Sequence, residues 1–506
     1  MKFGVIDIGS NSIRLVIFKQ GRNQSFKEIE NFKVVSRLST HLDEEGRLSE
    51  EGIHVLCETL ENFREIARHH QMSELKVVAT AAIRQSRNQD QILDAVAEKT
   101  GLKMEILSEY QEAYYGFLAV INSTSLENGI SIDVGGGSTE VTLFSDRKLV
   151  HYHSFPFGAV SLKEKFIQND VPTQEKLRRL SAYLSEQFQQ LDWVQGKRLP
   201  VVGIGGSARN LVKIHQVMNR YPLGGLHQYE METGEMFRLI ERISSLSIEQ
   251  LRELEGLSKD RADIIIPSAK IFQALMECVL SPTFLLSNKG LREGVYFDGL
   301  FREQEQKMIP DVSEQSLKGV AAAYDISLEP VQEEVKRVAL MLFQECEKHN
   351  GFSLSDDDRK DLEQAAYVFH LGRFIDLNAS GQHTFYLLTN QNLDGFSHKE
   401  RLKLALLASF SSKSIFKKYI KDFKDWFTKD EQQKIVFLGT LLKLAYSLNH
   451  TNRRIVENIQ MTVSNRHIHV RILCNKEWLA ESYKAERQVK HLEKATKKKV
   501  ILEFSK

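Results

Sequence analysis

Cysteine is scarce in this chain. The four that occur, Cys57, Cys278, Cys346 and Cys474, are scattered and include no C-x-x-C pair, which argues against a zinc cluster or a disulfide framework and suits a reducing compartment. Charge of one sign is lacking as well. With a formal net charge of +1, no whole-molecule field draws the protein to nucleic acid or a membrane, and a polyanion would have to be held by a local patch. Long apolar runs are also missing: no stretch reaches about 18 uninterrupted apolar residues. Met1 to Asp7 reads directly as a strand, without the charged segment and apolar run of a secretory leader. These absences predict a cytoplasmic protein with neither nucleic acid nor membrane as partner.

What is present is enough apolar material for several cores, 42% of 506 residues, with 27% charged; a chain of this length divides into several domains. The most informative feature is an internal repeat. Phe3 to Phe18 (FGVIDIGSNSIRLVIF) aligns with Gly129 to Phe144 (GISIDVGGGSTEVTLF), with identities at Ile6/Ile132, Asp7/Asp133, Gly9/Gly135, Ser12/Ser138 and Phe18/Phe144. In each copy a β-rich run ends in an aspartate, a Gly/Ser/Asn turn follows and a β-branched run resumes, the pattern of a hairpin. The repeat predicts two related α/β half-domains, 1–122 and 123–306. Helical patterns are read at Ser49 to His69 and Gln174 to Leu191, and strands at Leu75 to Thr80, Leu149 to Ser154 and Leu199 to Ile204. A third glycine turn, Gly205-Gly206-Ser207, precedes a helix read from Ala208 to Met218.

Pro310 interrupts the pattern within Lys307 to Val312 and marks a linker. Beyond it, Val331 to His349, Asp358 to Asp376 and Lys399 to Leu407 carry helical periodicity, so 307–454 is expected to be mainly helical. Strand-like runs at Gln460 to Cys474 and Val500 to Phe504 flank a charged helical stretch, Glu477 to Thr496, and predict a small α+β unit over 455–506. The basic run Lys497 to Lys499 reads as a solvated face.

A phosphate chain needs many hydrogen-bond donors, cations and a positioned water, and the backbone approaches it most closely at glycine. The first turn offers Gly9, Ser10, Asn11 and Ser12 with Arg14 just beyond. The second offers Gly135, Gly136, Gly137, Ser138 and Thr139. One such turn is commonly just a hairpin; two aligned copies point to phosphate. Asp7 and Asp133, at strand ends ahead of these turns, can hold magnesium directly or through its waters, with Glu140 as a further ligand, or can simply cap their turns.

Six ordered motifs make the pattern specific: Asp7-Ile-Gly-Ser-Asn-Ser-Ile-Arg14, Ala79-Thr-Ala-Ala-Ile-Arg84 with Asn88, Glu112-Ala113, Ile132-Asp-Val-Gly-Gly-Gly-Ser-Thr-Glu140, Gly203-Ile-Gly-Gly-Ser207 and Gly290-Leu-Arg-Glu-Gly294. Over about residues 1 to 300 the chain thereby resembles the exopolyphosphatase/guanosine pentaphosphate phosphohydrolase family, whose fold is shared with actins, sugar kinases and heat-shock ATPases. The resemblance implies two actin-like (ribonuclease H-like) half-domains, with phosphate bound in a cleft by the two loops, by Gly205, Gly206 and Ser207, and by Arg84 as a clamp. It makes Glu112 the base that positions the attacking water, magnesium the metal, with a monovalent cation such as potassium as a possible addition, and a homodimer the expected assembly. Ser108-x-x-Gln111 is a capping-box pattern that starts a helix near Glu109 and carries Glu112 early in it. Many relatives have two acidic residues before that alanine; here Gln111 replaces the first.

Arg292 with Glu293, and Arg261 with Asp263, read more readily as structural pairs than as ligands. The helical region resembles HD phosphohydrolases with a degenerate metal motif. Tyr367-Val-Phe-His370-Leu371 has leucine where the aspartate would stand, and only His383 remains of the downstream histidines, so these histidines are expected to be structural. The leading expectation is release of terminal orthophosphate from inorganic polyphosphate. Hydrolysis of guanosine pentaphosphate and a non-hydrolytic polyphosphate or nucleotide sensor are the alternatives, with phosphoryl transfer to an acceptor behind them.

Overall fold

A computed structural model describes residues 1–21, 26–167, 172–302, 307–324, 329–349 and 352–506. The expected boundary at 306/307 abuts residues 303–306, which lie outside the described residues. Contacts divide the chain into two units, residues 1–221 with 226–312, and residues 222–225 with 313–506.

The first unit contains two sheets. The first has strands β1 (Lys2–Ile8), β2 (Ile13–Gln20), β3 (Phe26–Val34), β4 (Glu74–Ala79) and β5 (Met104–Ile106) in the order β3-β2-β1-β4-β5. β1 pairs antiparallel with β2 and parallel with β4. The second has β6 (Gly129–Val134), β7 (Thr139–Ser145), β8 (Lys148–Phe155), β9 (Val201–Ile204), β10 (Glu230–Glu232) and β11 (Thr283–Leu286) in the order β10-β11-β9-β6-β7-β8. The repeat read in the sequence is a repeat in space. Asp7 lies opposite Arg14 in the first hairpin and Asp133 opposite Glu140 in the second. Each turn is closed by the same bond, Gly9 N–H to Ser12 carbonyl at 3.1 Å and Gly135 N–H to Ser138 carbonyl at 3.0 Å. The fold is therefore α/β with two duplicated actin-like half-domains.

The central strands are apolar on both faces because both faces are covered. Ile6, Ile8, Ile13, Leu15 and Ile17 pack with Leu56, Leu60 and Phe63 of the Glu50–His69 helix on one side of the first sheet. Phe3, Val5, Val16 and Phe18 face the other way. There they join Phe117 and Leu118 of the Glu109–Ile121 helix, Val295 and Phe297 of the Leu291–Leu300 helix, and Phe144, Val202 and Ile204 from the second sheet. Two helices thus lie in a core shared by both sheets. The capping box at Ser108 and Gln111 forms as the sequence predicts and fixes the start of the first of them. Glu112 stands in its first turn.

The second unit is mainly helical, with Glu329–Glu347, Asp356–Tyr367, His398–Ala408 and Lys429–Leu448 its principal helices. It also holds a three-stranded sheet, β12 (Val456–Val463), β13 (His467–Cys474) and β14 (Lys499–Ser505); the Leu479–Thr496 helix connects the last two and packs on Lys429–Leu448. The helix expected to run to Asp376 stops at Tyr367. His370 has a left-handed φ of 55° and precedes the short turn Leu371–Phe374. Its ring stacks on Tyr446 at 5.2 Å, with Nδ1 2.6 Å from Ser380 Oγ. Burial, aided by Lys443 and Arg373, holds its pKa down at about 4. His370 is a neutral packed ring. Among the described residues no group of three His, Cys, Asp or Glu side chains is arranged to hold a metal ion, and no helix is long and apolar enough to cross a membrane.

Candidate active site

The two hairpin loops open into one cavity of about 190 Å³. Asp7, Gly9, Ser10, Asn11, Ser12 and Arg14 line it from the first half-domain, and Asp133, Gly135, Gly136, Gly137, Ser138 and Glu140 from the second. The loops approach closely: a Cβ placed on Gly136 would lie 3.5 Å from the Cβ of Ser10. Gly205 and Gly206 complete one wall. Their role differs from the expected turn ahead of a helix, because the helix itself begins at Gly205 and runs to Met218. The glycines are its first turn, whose backbone N–H groups lack intrahelical acceptors and favour an anion. Gly205 has φ +88°, and a Cβ there would stand 2.7 Å from Asp133 Oδ1.

Three expected phosphate ligands do not line the cavity. Thr139 is fully buried and donates its hydroxyl to the Phe157 carbonyl at 2.8 Å. Ser207 is buried and donates to Ser268 Oγ at 2.9 Å. Arg84, read as a clamp, ends the short helix Ala81–Arg84 and donates through Nη1 to Glu112 Oε2 at 2.7 Å and to the Leu107 carbonyl at 3.0 Å. Its charge is used on the carboxylate.

The cavity's cations are instead Arg14, Arg209, Arg261, Lys289 and Arg292. Arg261 and Arg292 had read as structural pairs, and Arg209 and Lys289 carried no motif signal. Arg209 was nevertheless locatable, because it follows Gly205 by four residues and so shares its helix face. Its Nε donates to Asn288 Oδ1 at 3.0 Å. Arg261 lies against the backbone of Gly206, where a Cβ would meet its Nη2 at 2.2 Å. Arg292 Nη1 stands 3.8 Å from Asp7 Oδ2, and its buried Nε has no hydrogen-bond partner among the described residues. Burial, then the neighbouring guanidiniums of Arg292 and Arg209, push Arg14 down to about 10. Burial also lowers Arg209 and Arg261. These cations lower one another's pKa although Asp7 and Asp133 stand among them, an arrangement suited to a polyanionic ligand.

The carboxylates are displaced in the opposite sense. Burial raises Glu112 to about 7 against the pull of Arg84, with Asp133 and Asp7 adding to the rise. Burial and then Asp7 raise Asp133 to about 6, and burial raises Asp7. Glu140 is buried, accepts from Ser154 Oγ at 3.1 Å, and is pushed well up by burial and then by Glu112 and Asp133. Five lining cations face four lining carboxylates, a formal surplus of one that cannot neutralise a phosphate chain. Hard carboxylate oxygens on Asp7 and Asp133 suit magnesium, which commonly takes one or two protein carboxylates and completes its shell with water and substrate phosphate. The residues present fit that ion.

Comparison with known proteins places this geometry. Residues 16–303 match the Ppx/GppA phosphatase family, and residues 312–491 match Ppx/GppA phosphatase, domain III. An Aquifex aeolicus member of the Ppx/GppA protein family is 28% identical with a TM-score of 0.55, the match covering 60% of this chain and 99% of that one. The crystal structure of the type II variant of the A. aeolicus Ppx/GppA phosphatase matches at 28% identity and a TM-score of 0.52, over 58% of this chain and 98% of that one. An exopolyphosphatase from Cytophaga hutchinsonii shares the fold at 20% identity and a TM-score of 0.54, over 61% and 100% of the two chains.

Proposed function

The chain belongs to the Ppx/GppA phosphatase family, and from that premise we propose that this phosphoanhydride hydrolase releases terminal orthophosphate from inorganic polyphosphate, with Glu112 as the base. The observation that carries the reading is that Glu112, its pKa near 7, lines the same cavity as both glycine loops and the arginines. A base of that pKa is about half ionised at neutral pH and basic enough to accept a proton.

The loop N–H groups, the hydroxyls of Ser10, Ser12 and Ser138 and the side-chain amide of Asn11 bind the phosphate oxygens, with Arg14, Arg209, Arg261 and Arg292 matching their charge. Glu112, oriented by Arg84, holds a water facing the terminal phosphorus and takes its proton as the water oxygen forms the new P–O bond. The bridging P–O bond breaks in line, and its electron pair leaves with the shortened chain. Asp7 and Asp133 would hold magnesium, with Glu140 behind them. When bound, the ion supplies charge neutralisation of the non-bridging and leaving oxygens.

A second reading, hydrolysis of guanosine pentaphosphate, is favoured by a neighbouring cavity of about 360 Å³. Leu246, Ile248, Leu251 and Ile266 line it together with the charged side chains of Arg37, Lys163, Arg252, Lys259, Asp260 and Asp263. It shares the 259–263 segment with the phosphate cavity, which receives Arg261. A cavity with both apolar and charged walls beside a phosphate site can take a nucleoside. The test is orthophosphate release from long-chain polyphosphate, tripolyphosphate and guanosine pentaphosphate under magnesium, comparing wild type with Glu112→Gln. Wild-type release that falls at least a hundredfold in the variant is expected. No release from any substrate would leave a binding sensor, and equal release by the variant would remove Glu112 from its role.

A further inference from the structure

Arg209 enters the cavity from a helix, but its guanidinium is aimed by a neighbour on another segment. Its Nε donates to Asn288 Oδ1 at 3.0 Å. Asn288 belongs to the loop between β11 and the Leu291–Leu300 helix; the loop also brings Lys289 to the cavity, and the first turn of the helix brings Arg292. The backbone N–H of Asn288 in turn donates to His227 Nδ1 at 3.1 Å, and His227 Nε2 lies 3.0 Å from the Ser123 carbonyl. His227 is 2% exposed and does not line the cavity.

These partners settle the state of the ring. A backbone N–H only donates, so Nδ1 carries no proton; a carbonyl only accepts, so Nε2 does. Ser123 comes just after Asn122, the C-cap of the Glu109–Ile121 helix that carries Glu112 in its first turn. The imidazole therefore ties the chain just past the base-bearing helix to the loop that holds Asn288, the partner of Arg209, and Lys289. Buried polar groups of this kind are costly to leave unpaired, which makes the link directional and stiff.

We propose that His227 is a positioning residue for the phosphate site, acting on the ligand through Asn288 and Arg209. The inference rests on phosphate binding in this cavity but not on hydrolysis. Side-chain amides separate its two bonds. His227→Asn can place an acceptor where Nδ1 stands and keep the link to Asn288. His227→Gln can place a donor where Nε2 stands and keep only the link to Ser123.

The experiment measures Kd for tripolyphosphate by calorimetry on the full chain, with Tm recorded for every variant. His227→Gln is expected to weaken binding about tenfold and His227→Asn by no more than about twofold, at similar Tm values. Arg209→Gln should weaken binding about tenfold, and adding His227→Gln to it should cost nothing further, because His227 acts on the ligand through Arg209. Where hydrolysis is measured, His227→Gln should raise KM and leave kcat within about twofold. Equal losses in the two His227 variants, additive losses in the double variant, or absence of tripolyphosphate binding by the wild type would each overturn the inference. Tight binding without orthophosphate release would instead overturn the hydrolase reading and leave the positioning role standing.

Discussion

Replacing Arg84 by alanine distinguishes two roles for the same residue. As a phosphate clamp its loss would raise KM; as the partner of Glu112 its loss would move the pH dependence. The contact is a 2.7 Å ion pair whose side chains are only 16% and 14% exposed, so water screens it weakly. Arg84 lowers the pKa of Glu112 through its charge and its hydrogen bond, against a rise due to burial that leaves the group at about 7. A hydrogen bond to a charged group contributes about 1.5 to 3 kcal/mol, or roughly one to two pKa units. Without Arg84 the carboxyl should titrate at about 8 to 9. The active form is the carboxylate, so a higher pKa removes activity below it. At pH 7 the ionised fraction falls from about one half to between a tenth and a hundredth, a loss of about 5- to 50-fold in kcat that should close by about pH 10. The assay is orthophosphate release from tripolyphosphate between pH 6 and 10, with Arg84→Lys as an intermediate case. An unmoved acid limb with a raised KM would refute the reasoning and restore the clamp.

Gly205→Ala should destabilise the first unit by about 1 to 3 kcal/mol, because its φ is +88° and the new methyl would press on Asp133 Oδ1. Chemical denaturation measures this, and a change below about 0.5 kcal/mol would show that the loop relaxes. The raised carboxyls predict a pH dependence of stability without ligand. Asp7, Glu112, Asp133 and Glu140 bind protons more tightly folded than unfolded, so stability falls as pH rises from the ordinary carboxyl range through about 6 and 7. Differential scanning fluorimetry should show Tm decreasing over that interval, with magnesium restoring more at pH 7 than at pH 5. A magnesium effect that does not grow with pH would separate the ion from these carboxylates.

Much of the fold was legible because local chemistry and tertiary environment agree. The duplicated Asp–turn–β motif specifies two hairpins, and the Ser108/Gln111 box starts the Glu112 helix in three residues. The errors fall where partners lie far off in sequence. Arg84 and Glu112 are 28 residues apart, and nothing local shows that the arginine turns toward the carboxylate. Thr139 and Ser207 resemble their loop neighbours in composition but point into the core. The Asp358 to Asp376 helix was overextended because its periodicity continues past Tyr367, where His370 turns into a left-handed conformation and packs on Tyr446.

The sequence by itself determined the duplicated half-domains, the phosphate-type loops, the acidic residues at their strand ends and the helix that carries Glu112. Each is written in a short stretch where backbone geometry follows from neighbouring residues. Only the tertiary structure decided which arginines face the cavity between the two loops, that Arg84 pairs with Glu112, and that His227 bonds to both Asn288 and Ser123. A long polar side chain is directed by the burial and hydrogen-bond partners it meets after the chain has folded, and those partners come from segments that only packing brings together.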